Sequence, residues 1–444
     1  MPSQPSQPLD AAVTEAVETT PATSPKPVVA PQAAATIPRI QPTDLVYLGA
    51  FRLPAVTGDS NWEYSAYAMT YVPSGDPGGP ADGFPGSIFA IGHDHHQLVS
   101  EINIPKPVIS ESKQINDLPV AETLQPFADI RGGLVGELEI PRAGLEFLPG
   151  AAPGEAGRLH FCWGQHFQFE PDPSHGWCEL NLSSPQPRGL WRLNGYTNYV
   201  TNDYLFEIPQ AWSTRYLPGY RLATGRFRDG QWGGLGPAIL AYQPPDTPPA
   251  NKAVLTDVKP LLMYGRQLPD TPELEVNDAW KMNGYSESDE WSGGAWLTLG
   301  DRQAVVLVGT KAIGKTWYGF SNGVVYPISG DPNDPIPEVP PFPHDARGWW
   351  SQGIEARLIF FDAGELAAVA QGKQESWTPQ PYASLRIDRY LFEPGYDHPR
   401  QKRYSVGACC LDRERGVLYV AERCVQQDEE RSVIHAFRIG AEHK

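Results

Sequence analysis

A chain of 444 residues has room for one large domain or two ordinary ones, and its 43 glycines, 46 prolines and 11% aromatic residues point to many turns and strands rather than long helices. The formal charge of −17 argues against nucleic acid and against an anionic membrane surface as partners, because both call for a basic face. No apolar run reaches the ~18 residues of a membrane-spanning helix, so no transmembrane segment is expected.

Residues 1–38 are Pro, Ala, Thr, Ser and Gln with almost no large apolar side chain. Such a segment buries too little surface to offset its chain entropy, which predicts a disordered tether ahead of a folded domain over residues 39–444. It lacks the basic start and apolar centre of a signal peptide. Tethers of this kind often follow an export signal or lipid anchor, so the expected location is extracellular, periplasmic or tethered at the cell surface.

Asp44–Pro54 (DLVYLGAFRLP) reads as an isolated strand with no hairpin partner. Tyr64–Pro105 reads as three short strands: YSAYAMTYVP, GSIFAIGHDHHQ and LVSEINIP. Ile115–Asp129 supplies a fourth. The pattern repeats: GLEFLPG matches AMTYVPSG, and GRLHFCWGQH matches GSIFAIGHDH, followed by GWCELNLS and Trp191–Asn194. A more worn third unit has YRLATGRFRDG, GPAILAYQPPD and KPLLMYG. The fourth has WSGGAWLTLGD, QAVVLVGTKAIGKTWYGF, a Pro-rich insertion, EARLIFFD, a short helix over Ala363–Gly372, and PYASLRID. The fifth, YSVGACCLDRERGVLYVAERC then SVIHAFRIG, supplies three strands before the chain ends.

Five strand–turn–strand–loop–strand units recur at intervals of roughly 65 to 95 residues. This all-β pattern resembles β-propeller proteins as an architectural class, and a five-bladed ring is expected, with six or seven blades as alternatives. The orphan strand Asp44–Pro54 would complete the last blade and close the ring, removing free sheet edges. The resemblance spans residues from about 44 to 440 and carries no family-level activity.

Five cysteines are too few for a disulfide scaffold; Cys162 and Cys178 flank a hairpin and are either bridged or packed as free thiols. The Gly-rich VGTKAIGKTWYGF has the GxxxxGK[ST] spacing over residues 309–316, but no helix is expected after it, so it is not read as a phosphate loop. GFSNG over residues 319–323 has the GxSxG spacing, but no helix is expected after it, so no nucleophile elbow is read there, and no CxxC pair is present.

In an antiparallel blade with its innermost strand first, turns after the first and third strands share one face. Loops after the second strand share the other with the connections between blades. Here the first class is short and plain, whereas the second carries the reactive side chains, and rigid scaffolds display function on such loops. The tip His93, Asp94, His95, His96 allows three readings: a metal site for Zn, Mn or Ca through His93, Asp94 and His95; acid–base chemistry by one histidine; or hydrogen bonding between blades. Gln165 and His166 occupy the matching tip of the second unit. Tryptophan beside cations and carboxylates suits a sugar, whose faces stack on rings and whose hydroxyls and carboxylates take hydrogen bonds.

The expected partner is therefore a carbohydrate or other small polar ligand on a monomer. As a lyase, His93, His166 or Tyr404 would take the proton beside a uronate carboxylate held by Arg142, Arg226 or Lys311. As a glycoside hydrolase, Glu146 and Glu290 would be the carboxylate pair. Gln165, Lys315, Trp349 and Trp350 are further substrate contacts. The alternative is a binding or protein-interaction propeller without chemistry.

Overall fold

The computed structural model describes residues 36–440 apart from 77, 151–153, 167, 169, 227–233, 269–270, 272, 329–330, 332 and 395–403. Of the tether expected over residues 1–38, residues 1–35 lie outside the described residues. The Pro38 carbonyl accepts from the Gln303 N–H (2.8 Å), and Ile40 is fully buried.

Apolar runs bounded by Gly, Pro and Asp form short strands, as the period-two pattern requires. The first long one, β1 (Leu45–Arg52), pairs with nothing near it in sequence. The first blade is β2 (Met69–Val72), β3 (Ser87–Ile91), β4 (Val99–Asn103) and β5 (Thr123–Ala128). The second is β6 (Pro141–Leu148), β7 (Arg158–Gln165), β8 (His175–Cys178) and β9 (Arg188–Leu193). The third is β10 (Tyr204–Glu207), β11 (Leu222–Gly225), β12 (Ile239–Tyr242) and β13 (Val258–Leu262). The fourth is β14 (Glu290–Leu299), β15 (Arg302–Gly319), β16 (Gly348–Phe361) and β17 (Ala383–Arg386). The fifth is β18 (Val406–Asp412), β19 (Val417–Val425) and β20 (Arg431–Ile439), completed by β1.

This is the expected five-bladed propeller. Its closure is also as expected: β1 runs antiparallel to β20, from Leu45 opposite Ile439 to Arg52 opposite Val433. The inner strands abut in a ring, β2–β6–β10–β14–β18 and back to β2. The hydrophobic core lies between successive sheets. Phe89, Ile91 and Val99 of the first blade meet Leu145, Phe161 and Trp163 of the second, and Phe206 and Ile239 of the third meet Trp296 and Leu307 of the fourth.

Five blades leave a narrow channel, and glycine sets its waist. A Cβ on Gly144 would stand 2.6 Å from the Leu205 amide nitrogen, and one on Gly293 would stand 2.8 Å from that of Cys409. The third blade differs from its reading in the sequence. Its inner strand is Tyr204–Glu207, so YRLATG is the second strand, and a helix, α1 (Gln210–Tyr216), separates the two. The two long strands β15 and β16 pair past the body of their sheet, so the insertion begins at the end of a projecting hairpin. Cys162 and Cys178 are free buried thiols on adjacent strands, opposite His175 and Leu159 rather than each other.

Candidate ligand site at the channel mouth

Each inner strand starts on the loop-rich face, so residues at or just before its start stand at the channel mouth. Tyr67, Asp203 and Ser292 line the narrowing with the waist glycines Gly144 and Gly293. Several of the expected side chains gather around Tyr67. The Arg142 guanidinium, from the second position of β6, lies 5.2 Å from its ring centre, and that of Arg423, from β19, lies 4.3 Å away. A phenol between two cations is held through its ring face, each contact being worth about 0.5–2 kcal/mol. The Arg423 guanidinium also packs 3.8 Å from the ring centre of half-buried Tyr404. Arg142 Nε is 4.0 Å from Asp203 Oδ1 on the third blade.

The first-blade tip joins this group through Tyr67, whose hydroxyl donates to Asp94 Oδ2 (3.3 Å). Asp94 Oδ1 lies 3.2 Å from His93 Nδ1 and 3.9 Å from His95 Nε2. Burial lowers the His93 pKa despite the neighbouring Asp94 carboxylate, which favours the neutral ring. The tip is a closed turn: the His96 and Gln97 N–H groups donate to the His93 carbonyl (3.1 and 3.0 Å), and Gln97 takes φ +55°. His96 Nδ1 is held by Ser60 Oγ (2.9 Å), and the Trp163 indole donates to Gln97 Oε1 (2.6 Å). His95 faces solvent.

In the second blade His166 is buried and its ring packs 5.4 Å from that of Tyr199. Gln165 Oε1 accepts from the Glu139 N–H (3.0 Å). Arg226, which follows β11, lies over the other side of this group, 4.9 Å from the Tyr199 ring centre. It is 1% exposed, and none of its three guanidinium nitrogens has a hydrogen-bond partner. A buried cation in that state costs free energy unless something anionic arrives.

The fourth blade contributes buried Asp289 and Glu290 at the start of β14. Lys311 Nζ donates to Asp289 Oδ1 (2.7 Å), which also accepts from the Ala312 N–H (2.9 Å). Burial outweighs these contacts and pushes the Asp289 pKa up to about 6. Lys315 is exposed on the projecting hairpin. Trp349 there meets Tyr318 edge-on at 5.6 Å, and Trp350 is turned inward at 1% exposure.

Glu146 is not brought to this group. It lies below the waist, where Thr70 Oγ1 (3.3 Å) and the Glu207 N–H (3.1 Å) donate to it. Burial, with Glu207 adding to it and Arg413 opposing, pushes its pKa up to about 8. Glu146 sits two residues past Gly144 and Glu290 three before Gly293, so about 3.3 Å per strand residue sets them on the order of 15 Å apart along the axis. Paired glycosidase carboxylates stand about 5–10 Å apart.

Tyr67, Asp203 and Tyr199 belong to the group although the sequence reading did not single them out. The signal was positional: Tyr67 and Asp203 precede inner strands as Arg142 begins one. No protein-family model matches the chain, and no curated protein matches it in sequence.

Proposed function

We propose that the channel mouth binds the carboxylate of an acidic polysaccharide and that the chemistry there is β-elimination. The observation that carries this reading is the Arg226 guanidinium, buried at 1% exposure with no hydrogen-bond partner on any nitrogen. Arg142 and Arg423, both packed against the Tyr67 ring, add two further cations to the group. A carboxylate brought to such cations acidifies the carbon beside it, because the developing enolate is stabilised where water is scarce.

Tyr67 would take that proton as its own hydroxyl proton passes to Asp94 Oδ2, to which it donates. The C–H pair becomes a double bond, and the glycosidic oxygen on the next carbon leaves with a proton from solvent. His93 and Tyr404 stand in the same group, within reach of the same role. The overall charge of −17 opposes long-range attraction of an acidic polymer, so affinity must come from the local cations. The depth separating Glu146 from Glu290 favours elimination over hydrolysis by that pair.

The test is a panel of acidic and neutral polysaccharides offered to the purified protein. Binding is followed by calorimetry, reducing ends by colour and unsaturated uronates by ultraviolet absorbance. Uronate polymers should bind and yield the absorbing product, and Arg142→Gln should weaken both. Binding without product would leave a non-catalytic carbohydrate-binding propeller. Preference for neutral polymers would overturn the reading.

A further inference from the structure

We propose that His93, Asp94 and His95 form a site for a divalent transition metal at the tip of the first blade. Among the described residues, their ligand atoms form a group lying within 4.8 Å of one another. Two ligands of one such ion, each bound at about 2.0–2.2 Å, stand roughly 3.0–3.4 Å apart in tetrahedral or octahedral geometry. The 3.2 Å between His93 Nδ1 and Asp94 Oδ1 is that spacing. His95 Nε2, at 3.9 Å from the same oxygen, must close by less than about 1 Å, and its side chain is 82% exposed and free to turn.

The hydrogen bonding also calls for a cation. The His95 amide donates to His93 Nδ1 (3.2 Å), so that nitrogen carries its lone pair rather than a proton, and an ion bound there would take the place of the amide N–H. It faces Asp94 Oδ1, which is buried and has no hydrogen-bond partner. Two acceptors facing each other repel unless a positive charge stands between them. The surroundings hold the group in place. Tyr67 fixes the other Asp94 oxygen, as a supporting hydrogen bond to a ligating carboxylate does. The closed turn and buried Gln97 anchor the backbone. His96 Nδ1 is held by Ser60, and the group of converging ligand atoms does not include His96.

Two imidazoles and one carboxylate suit Zn²⁺, Mn²⁺, Fe²⁺ or Co²⁺, whereas Ca²⁺ takes about six to eight oxygens. Three protein ligands leave coordination positions open beside Tyr67, where a water or a ligand oxygen can bind.

The test uses the full chain, stripped with a chelator and titrated by calorimetry with Zn²⁺, Mn²⁺ and Ca²⁺ separately, with Co²⁺ absorption as a spectroscopic check. About one equivalent of Zn²⁺ or Mn²⁺ should bind and Ca²⁺ should not. Asp94→Asn and His95→Ala should each weaken binding at least about tenfold, and Tyr67→Phe by about tenfold. His96→Ala should leave it unchanged. Because His95 is exposed, His95→Ala keeps the test valid even if Asp94→Asn fails to fold. No saturable binding, tight Ca²⁺ binding, or affinity untouched by His95→Ala would each overturn the site. The titration contains no saccharide, so its outcome is separate from that of the carboxylate reading at the mouth.

Discussion

Arg226 poses the sharpest question about a single side chain. Burying a guanidinium costs several kcal/mol, and the Tyr199 face returns about 0.5–2 kcal/mol of that. Arg226→Met should therefore raise stability by about 1–3 kcal/mol in denaturant melts while abolishing uronate binding. A less stable Met variant would show that the cation serves the fold. Gly144→Ala should act the opposite way, costing about 1–3 kcal/mol by the same melts, because its Cβ would meet backbone that cannot give. The individual residues of the site were only partly legible. Arg142, Arg226, Glu290 and the histidine tip could be sorted to one face from loop class alone. Tyr67 could not, because YSAYAMTYVP reads as one strand, whereas Ala66 takes φ +76° and the regular strand starts at Met69. What makes Tyr67 matter, cations from the second and fifth blades on its ring, is a tertiary fact.

The second blade should be the acid-sensitive one. His160 on β7 and His175 on β8 are buried, and burial pushes each pKa down to about 3, with Arg158 and Arg221 adding to the effect at His160. In the unfolded chain both titrate near 6.5, so below that pH the unfolded state binds protons the folded state refuses. Their contribution is full above about 6.5 and is lost as pH falls toward 3, by up to about 2 kcal/mol per histidine at pH 5. Glu146 has the reverse sign. Its raised pKa means a contribution present below the ordinary carboxylate range and lost as pH rises through about 8. Melting temperatures across pH 4–9 check both: His160→Gln should flatten the acid limb and Glu146→Gln the alkaline one. Most strands of this kind were readable from alternation and turn residues. The inner strand of the third blade was not, because four residues followed by α1 give too short a period to recognise.

The ring as a whole was legible because its two ends are each incomplete. The chain starts with a strand lacking a neighbour and ends with a blade lacking a strand, and only closure satisfies both. Loops cap exposed outer edges in the same spirit: Val254–Leu255 runs parallel to β9, and Val108 and Val120 bridge to β1. A truncation starting at Thr36 should keep the full melting temperature. One starting at Gln41 should cost about 2–4 kcal/mol, through fully buried Ile40 and the Arg39–Asp362 ion pair. One starting at Leu53 removes β1 and should leave no cooperative transition, which circular dichroism melts would report.

The closing strand also fixes the order of events during synthesis. β1 leaves the ribosome nearly 400 residues ahead of its partner β20. Translation proceeds at about 5–20 residues per second, so β1 waits tens of seconds for its place, which exists only once β20 has been made and paired with β19. Local hairpins can form as they emerge, but the ring cannot lock early. Productive folding in the cell thus depends on keeping that one early strand unoccupied, and a chaperone that shields extended apolar segments would act most usefully on Leu45–Arg52.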